Sequence, residues 1–358
     1  MLAPALHIDK KSRFGPCDEA RAIAAVVQAA RGIEVPLPII FGRRCLGYAV
    51  GQRRSSYVWL SGGFPGLNYI QSQVAQGMRW QQTFSKTTVA GGGLNAKIWW
   101  DMWPCTGDPA GGGYTGAAFT LRQFDDTVTG SILHGGNVAP LQAALNYFAI
   151  NGSVGNSVLV LYDRVATYEA CTYNANVQQN MTNTLAAQRY VSTGQPGLQI
   201  SIAAQTANGA TPVNLTQLAY TNQAGTTGVA LPAATPVIPF IISGITAAGA
   251  GAEIICPNDA GNGQTLLFLN LAPGDTGVRK IESFTTDAAQ TGTFTYILNR
   301  PLAYLLQPTP GVQFETDLLY QVFGIERVFD GACLSFFAWG GTTSASVVFT
   351  GRVDTVWG

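Results

Sequence analysis

From Gly155 onward the sequence alternates β-prone runs with turn clusters, and this punctuation confines the chain to a fold built from many short strands. The runs are Ser157 to Tyr162, Val165 to Tyr173, Gly197 to Ala203, Leu215 to Tyr220, Val237 to Ile242, Gln264 to Asn270, Gly292 to Leu298 and Ser346 to Val353. Between them stand Gly194-Gln195-Pro196-Gly197, Asn208-Gly209 and Pro273-Gly274-Asp275, residue types that supply the φ values and backbone bonds of turns. Strands at this spacing, with few helical periodicities, predict a mainly β fold with a β-sandwich or jelly-roll-like body over residues 157–358. Residues 222–236 and 243–263 are rich in Ala, Gly, Thr and Pro and poor in charge, so long loops or a linker could split that body near 222–263.

The preceding part reads differently. Asp18 caps a run from Ala20 to Arg31 that Gly32 ends, which predicts a short helix in an N-terminal arm over residues 1–60. Leu37 to Phe41, Cys45 to Val50 and Tyr57 to Leu60 read as strands within the same segment. Leu67 to Gln76 and Val138 to Ile150 read as two further short helices, the second with Pro140 in its first turn. Residues 61–156 hold a Trp- and Gly-rich stretch: Trp99, Trp100 and Trp103 lie between the triplets Gly91 to Gly93 and Gly111 to Gly113. Aromatic side chains of this size bury about 150 to 250 Å² each, so the three tryptophans are candidate anchors, either of this chain's core or of an interface.

Charge narrows the function. Only 11% of residues are charged, against about 25% in an average soluble domain. A surface made mainly of Ser, Thr, Asn, Gln and Gly suits a subunit covered by partners, or alternatively a secreted β-protein with an uncharged polar coat. The net charge is zero, yet residues 1–60 carry Lys10, Lys11, Arg13, Arg21, Arg31, Arg43, Arg44, Arg53 and Arg54 against Asp9, Asp18, Glu19 and Glu34. Arg43, Arg44, Arg53 and Arg54 fall at strand ends and are candidate contacts for nucleic-acid phosphates or for a neighbouring subunit. Cys17, Cys45, Cys105, Cys171, Cys256 and Cys333 are widely spaced and read as buried thiols, with three disulfides the alternative. Asp18 and Glu19 interrupt the basic start, so no export signal is expected, and no run reaches the about 20 apolar residues of a membrane span.

Catalytic signatures are weak. No G-x-x-x-x-G-K-[ST] loop occurs, and Gly152-Ser153-Val154-Gly155 lacks the spacing of a nucleophile elbow. Asp125-Asp126 and Glu282 with Asp287 supply carboxylates of the kind a glycosidase pairs, but neighbouring aspartates on an extended strand face opposite ways. A metal site from His134, Asp125 and Asp126 has less support still. The chain is therefore expected to be non-enzymatic, with neither cofactor nor metal, a carbohydrate-binding or carbohydrate-active β-protein being the alternative.

Ile98-Trp99-Trp100-Asp101-Met102-Trp103, Leu161-Tyr162-Asp163-Arg164, Tyr168-Glu169-Ala170-Cys171, Gly274 to Lys280 and Phe329-Asp330-Gly331-Ala332-Cys333-Leu334 resemble segments of virion proteins of tailed bacteriophages, over residues 40–358. The resemblance implies a structural component of the particle, made in the host cytoplasm and acting through self-assembly with other virion proteins, as a capsid or decorating (cement) subunit. A tail or baseplate role is the alternative. The shell protein of such phages has an α+β fold with a long spine helix. The helices expected here are short, which favours the all-β decorating role. The resemblance transfers no catalytic or binding residue.

Overall fold

The computed structural model describes residues 67–88, 98–138, 141–183, 189–190, 197–207, 213–230, 238–240, 253–255, 266–317, 326–341 and 346–358. The expected helix at 20–31, the strands before 61, the four arginines Arg43, Arg44, Arg53 and Arg54, and most of 231–265 lie outside these residues. The chain divides into two compact units, one of residues 79–317 and 326–357, the other of 1–78, 318–325 and 358.

In the smaller unit the described structure is helix α1 (Leu67–Ala75). It ends where Gly77 takes φ +77°, a left-handed step that costs glycine nothing, while Met78 N bonds back to Gln73 O at 2.9 Å.

The larger unit is mainly β. Its strands are β1 (Arg79–Thr87), β2 (Trp99–Asp101), β3 (Thr106–Asp108), β4 (Leu121–Gln123), β5 (Ala143–Gly152), β6 (Ser157–Tyr173), β7 (Gln179–Asn180), β8 (Gln199–Ala204) and β9 (Val213–Asn222). They continue as β10 (Val229–Ala230), β11 (Ile238–Phe240), β12 (Val278–Thr286), β13 (Gln290–Gln307), β14 (Phe314–Asp317), β15 (Arg327–Val328), β16 (Leu334–Trp339) and β17 (Val348–Trp357). Three antiparallel sheets result. The first runs β14-β5-β17-β1-β3 with β15 beside β5, the central one β2-β16-β6-β13-β8 with β4 beside β6, and the third β10-β9-β12-β7 with β11 beside β9. The first sheet thus joins β1 and β5 to the last strand, β17.

Alternation of side chains across the pleat gives the sandwich-like packing. On one face of the central sheet Phe336 meets Phe84 of β1 and Phe349 of β17, with ring centroids 5.2 and 5.9 Å apart. On the other face Phe337 stacks on Tyr162 at 4.0 Å, and Phe294 and Tyr296 meet Phe284 of β12 at 5.4 and 5.5 Å. The main core fills the space between the central and third sheets, with Ile200, Ile202, Leu218, Tyr220 and Ile281 all buried there.

The central sheet also curls until its two edges meet. Ile254 N donates to Trp99 O of β2 at 2.8 Å, Ile255 N to Ile202 O of β8 at 2.8 Å, and Ala204 N to Glu253 O at 2.9 Å. Residues 253–255 are therefore a seam bonded to both edge strands.

Three sequence expectations are corrected. The helix expected over 138–150 is replaced, in its described part, by strand: Ala143–Gly152 is β5, held between β14 and β17. Its Ala and Leu content favours helix only weakly, and long pairing with β17 overrides that preference. Residues 266–270 form no strand but follow the edge of β8, where Ser201 Oγ bonds Leu267 O at 2.8 Å and Leu269 N bonds Ile200 O at 2.9 Å. The two runs expected on either side of Asp163-Arg164 are one 17-residue strand, β6.

Candidate functional site

Strand β6 carries Asp163 and Arg164 through its middle, both fully buried and, by alternation, on opposite faces. Arg164 Nη1 bonds Asp101 Oδ2 of β2 at 2.7 Å and Tyr162 Oη at 3.1 Å. Asp101, itself fully buried, also accepts from Tyr162 Oη at 2.6 Å, Trp103 N at 3.0 Å and Tyr114 Oη at 3.2 Å. The guanidinium carbon lies 5.1 Å from the ring centroids of both Trp103 and Phe124 and 5.5 Å from that of Tyr114. These ring faces flank the cation and contribute cation–π attraction in a water-free setting. Burial is the largest single influence and works against the charged guanidinium, but Asp101 together with Tyr162 and Tyr114 reverses it and holds Arg164 well above its ordinary value. Burial, reinforced by Asp101, holds Tyr162 and Tyr114 well above theirs, so both remain hydrogen-bond donors at any ordinary pH.

On the other face Asp163 takes a two-toothed grip from Arg189, Nε to Oδ2 at 2.8 Å and Nη2 to Oδ1 at 2.7 Å, and accepts Cys333 N at 2.9 Å. Farther along β6, buried Glu169 binds Arg122 at 3.1 Å, Thr167 Oγ1 at 2.8 Å and the backbone N–H of Gly116. Each carboxylate is supplied with donors on both oxygens, the condition under which a buried ion pair becomes tolerable.

The three tryptophans take unequal places. Trp100 and Trp103 are fully buried within the chain, and Trp99 is half-buried against the main core. Trp103 meets Phe124 edge-on at 5.4 Å. The neighbouring glycines are close-packed here: a Cβ on Gly112 would lie 2.0 Å from the Trp103 ring, and one on Gly111 2.5 Å from Pro104 O.

Ser153, His134, Asp125, Glu282 and Asp287, all catalytic candidates, each accept hydrogen bonds within the fold. Ser153 Oγ accepts Val348 N at 3.0 Å. His134 is buried, its pKa is lowered by that burial, and its Nδ1 accepts Gly136 N at 3.3 Å. Asp125 and Asp126 lie in a turn rather than a strand, where Asp125 Oδ1 accepts from Thr127 N at 3.0 Å and Thr127 Oγ1 at 2.6 Å. Glu282 accepts Thr221 Oγ1 at 2.7 Å and Gly228 N at 3.0 Å, while Asp287 accepts Asn214 N at 2.7 Å. Among the described residues no group of three or more His, Cys, Asp and Glu side chains could hold a metal ion, and no helix is long and apolar enough to cross a membrane. Cys105, Cys171 and Cys333 are buried free thiols, with Cys333 pushed up to about 12 by burial.

Sequence reasoning passed over Asp101, Asp163 and Arg164. Their signal was available: in a chain this poor in charge, a charged residue set inside an apolar β-prone run is a residue the fold must bury and pair.

Seven charged side chains, Lys86, Asp101, Asp163, Arg164, Glu169, Glu253 and Asp354, are buried, whereas Arg79, Asp108, Asp125, Glu315 and Asp330 are exposed and the other charged side chains with a described burial are partly buried. Charged residues ordinarily avoid complete burial. At the same time Tyr304 and Leu306 of β13 stand 58% and 60% exposed. Leu306 lies opposite Val158, which lies opposite Trp339, which lies opposite Trp99, so an apolar row crosses four strands on one face.

No family model matches the chain, and no curated protein matches it. Two solved structures are similar to it in part. The crystal structure of the infectious bursal disease virus VP2 subviral particle is 10% identical over 78% of this chain and 80% of that one, with a TM-score of 0.16. The structure of the infectious bursal disease virus Gt strain is 10% identical over 78% and 79%, also with a TM-score of 0.16. Likeness at that level carries no argument about this chain. The class rests on the chain's own features: a mainly β, sandwich-like protein of antiparallel sheets, pinned along its central strand by buried ion pairs.

Proposed function

We propose that the chain is a non-enzymatic structural subunit that works by packing against copies of itself and sister proteins in a particle. Following the sequence resemblance, the particle is the virion of a tailed bacteriophage, with the chain in the capsid or decorating it. The observation that carries the reading is the inward placement of charge. A free monomer keeps its neighbours away with surface charge, whereas this chain is poor in charge, buries seven of its described charged side chains and carries an apolar row that ends in exposed Leu306 on one sheet face. In the same reading Arg43, Arg44, Arg53 and Arg54 contact packaged nucleic acid. Its retention should then fall with salt at a log–log slope of about −0.9 per phosphate neutralised on a duplex.

Sedimentation velocity over a concentration series, with electron microscopy of the fastest species, tests the proposal. Discrete assemblies larger than the 37.8 kDa chain are expected. A monomer at every concentration, with no particles in the micrographs, overturns it.

A further inference from the structure

Among the described residues the seam that joins the edges of the central sheet is 253–255, and one of these, Glu253, is an acid. Glu253 is 8% exposed and bridges to Trp100, which is fully buried. Side chains directly across an antiparallel bridge are close neighbours, so the Glu253 side chain stands beside the Trp100 indole in a largely buried position. Among the described residues Glu253 has no ion pair and its side chain has no hydrogen bond. The neighbouring elements supply no cation: β8 has no titratable side chain, and β2 has only Asp101, whose oxygens are taken by Arg164, Tyr162, Trp103 and Tyr114. A carboxylate without donors is costly to bury, whereas a neutral carboxylic acid is much less so.

We propose that residues 253–255 are a pH-sensitive latch on the central sheet, closed while Glu253 is protonated and released when it ionises. Burial alone raises the Glu253 carboxyl to about 7 from an ordinary 4.5. The sign follows directly. The open seam returns the group to its ordinary value, so the stability held in the closed seam is complete below about 4.5 and is lost as the pH rises through about 7. The latch therefore holds in acid and loosens in mild alkali, opposite to an ordinary paired carboxylate.

Amide hydrogen exchange on the full chain tests this at three reporters: Ile254 N–H, Ile255 N–H and Ala204 N–H, whose acceptors are Trp99 O, Ile202 O and Glu253 O. Protection factors, corrected for intrinsic exchange, should fall at least about tenfold between about pH 5 and about pH 8.5. The β6–β13 ladder, for example Ile297 opposite Thr167, should keep its protection and serves as the internal control. Glu253→Gln, which cannot ionise, should hold the three amides equally protected at both pH values. Unchanged protection in the natural sequence overturns the latch without reference to any variant. Equal loss of protection in Glu253→Gln overturns Glu253 as its sensor.

Discussion

Asp101 and Glu253 are both buried acids near the joined edges of the central sheet, and they are treated in opposite ways. Asp101 receives a guanidinium, two phenols and a backbone amide. The Glu253 carboxyl group receives no hydrogen bond from the described residues and is held up to about 7 by burial alone. The difference separates two uses of a scarce charge. A saturated acid, its oxygens all bonded, fixes the geometry around it, while an unsaturated one, without donors, makes its neighbourhood depend on pH.

The largest expected effect breaks the saturated side. Arg164→Met should leave Asp101 buried without its cation and destabilise the chain by about 3 to 5 kcal/mol, read from urea unfolding. A cost below about 1 kcal/mol would show that Asp101 finds other donors. Trp103→Ala removes a fully buried indole and a face of the Arg164 cage, and should cost about 3 to 5 kcal/mol, whereas half-buried Trp99→Ala should cost clearly less. Equal losses at the two positions would mean that the cage adds nothing. Gly112→Ala drives a methyl group into the Trp103 ring and should cost about 1 to 3 kcal/mol; in a Trp103→Ala background much of that penalty should vanish. On the unsaturated side, Glu253→Gln should flatten the decline of stability between about pH 4.5 and about pH 7. The smallest effect belongs to the exposed Leu306: Leu306→Asp should change stability by no more than about 0.5 kcal/mol, yet it should reduce association in sedimentation if the apolar row is a contact.

The mainly β character was legible because turn clusters and β-prone runs recur at strand spacing, and strands β6, β8, β9, β13 and β17 fall on those runs, whereas β12 lies where no run was expected. Strand β5 was not legible. Its residues suit either state, and only pairing with β17 selects the strand. The fate of the tryptophans was legible as far as burial, but not as to which would be caged. That depends on Arg164 arriving from 61 positions away in the chain.

The sequence by itself thus determined the class of fold and the poverty of charge, because both are properties of local pattern and composition. Only the tertiary structure decided which acids were paired. A carboxylate's state depends on the donors within hydrogen-bond reach: Asp101 and Arg164 become neighbours only when β2, β16 and β6 pair, and Glu253 and Trp100 only when residues 253–255 bridge the edge of the sheet.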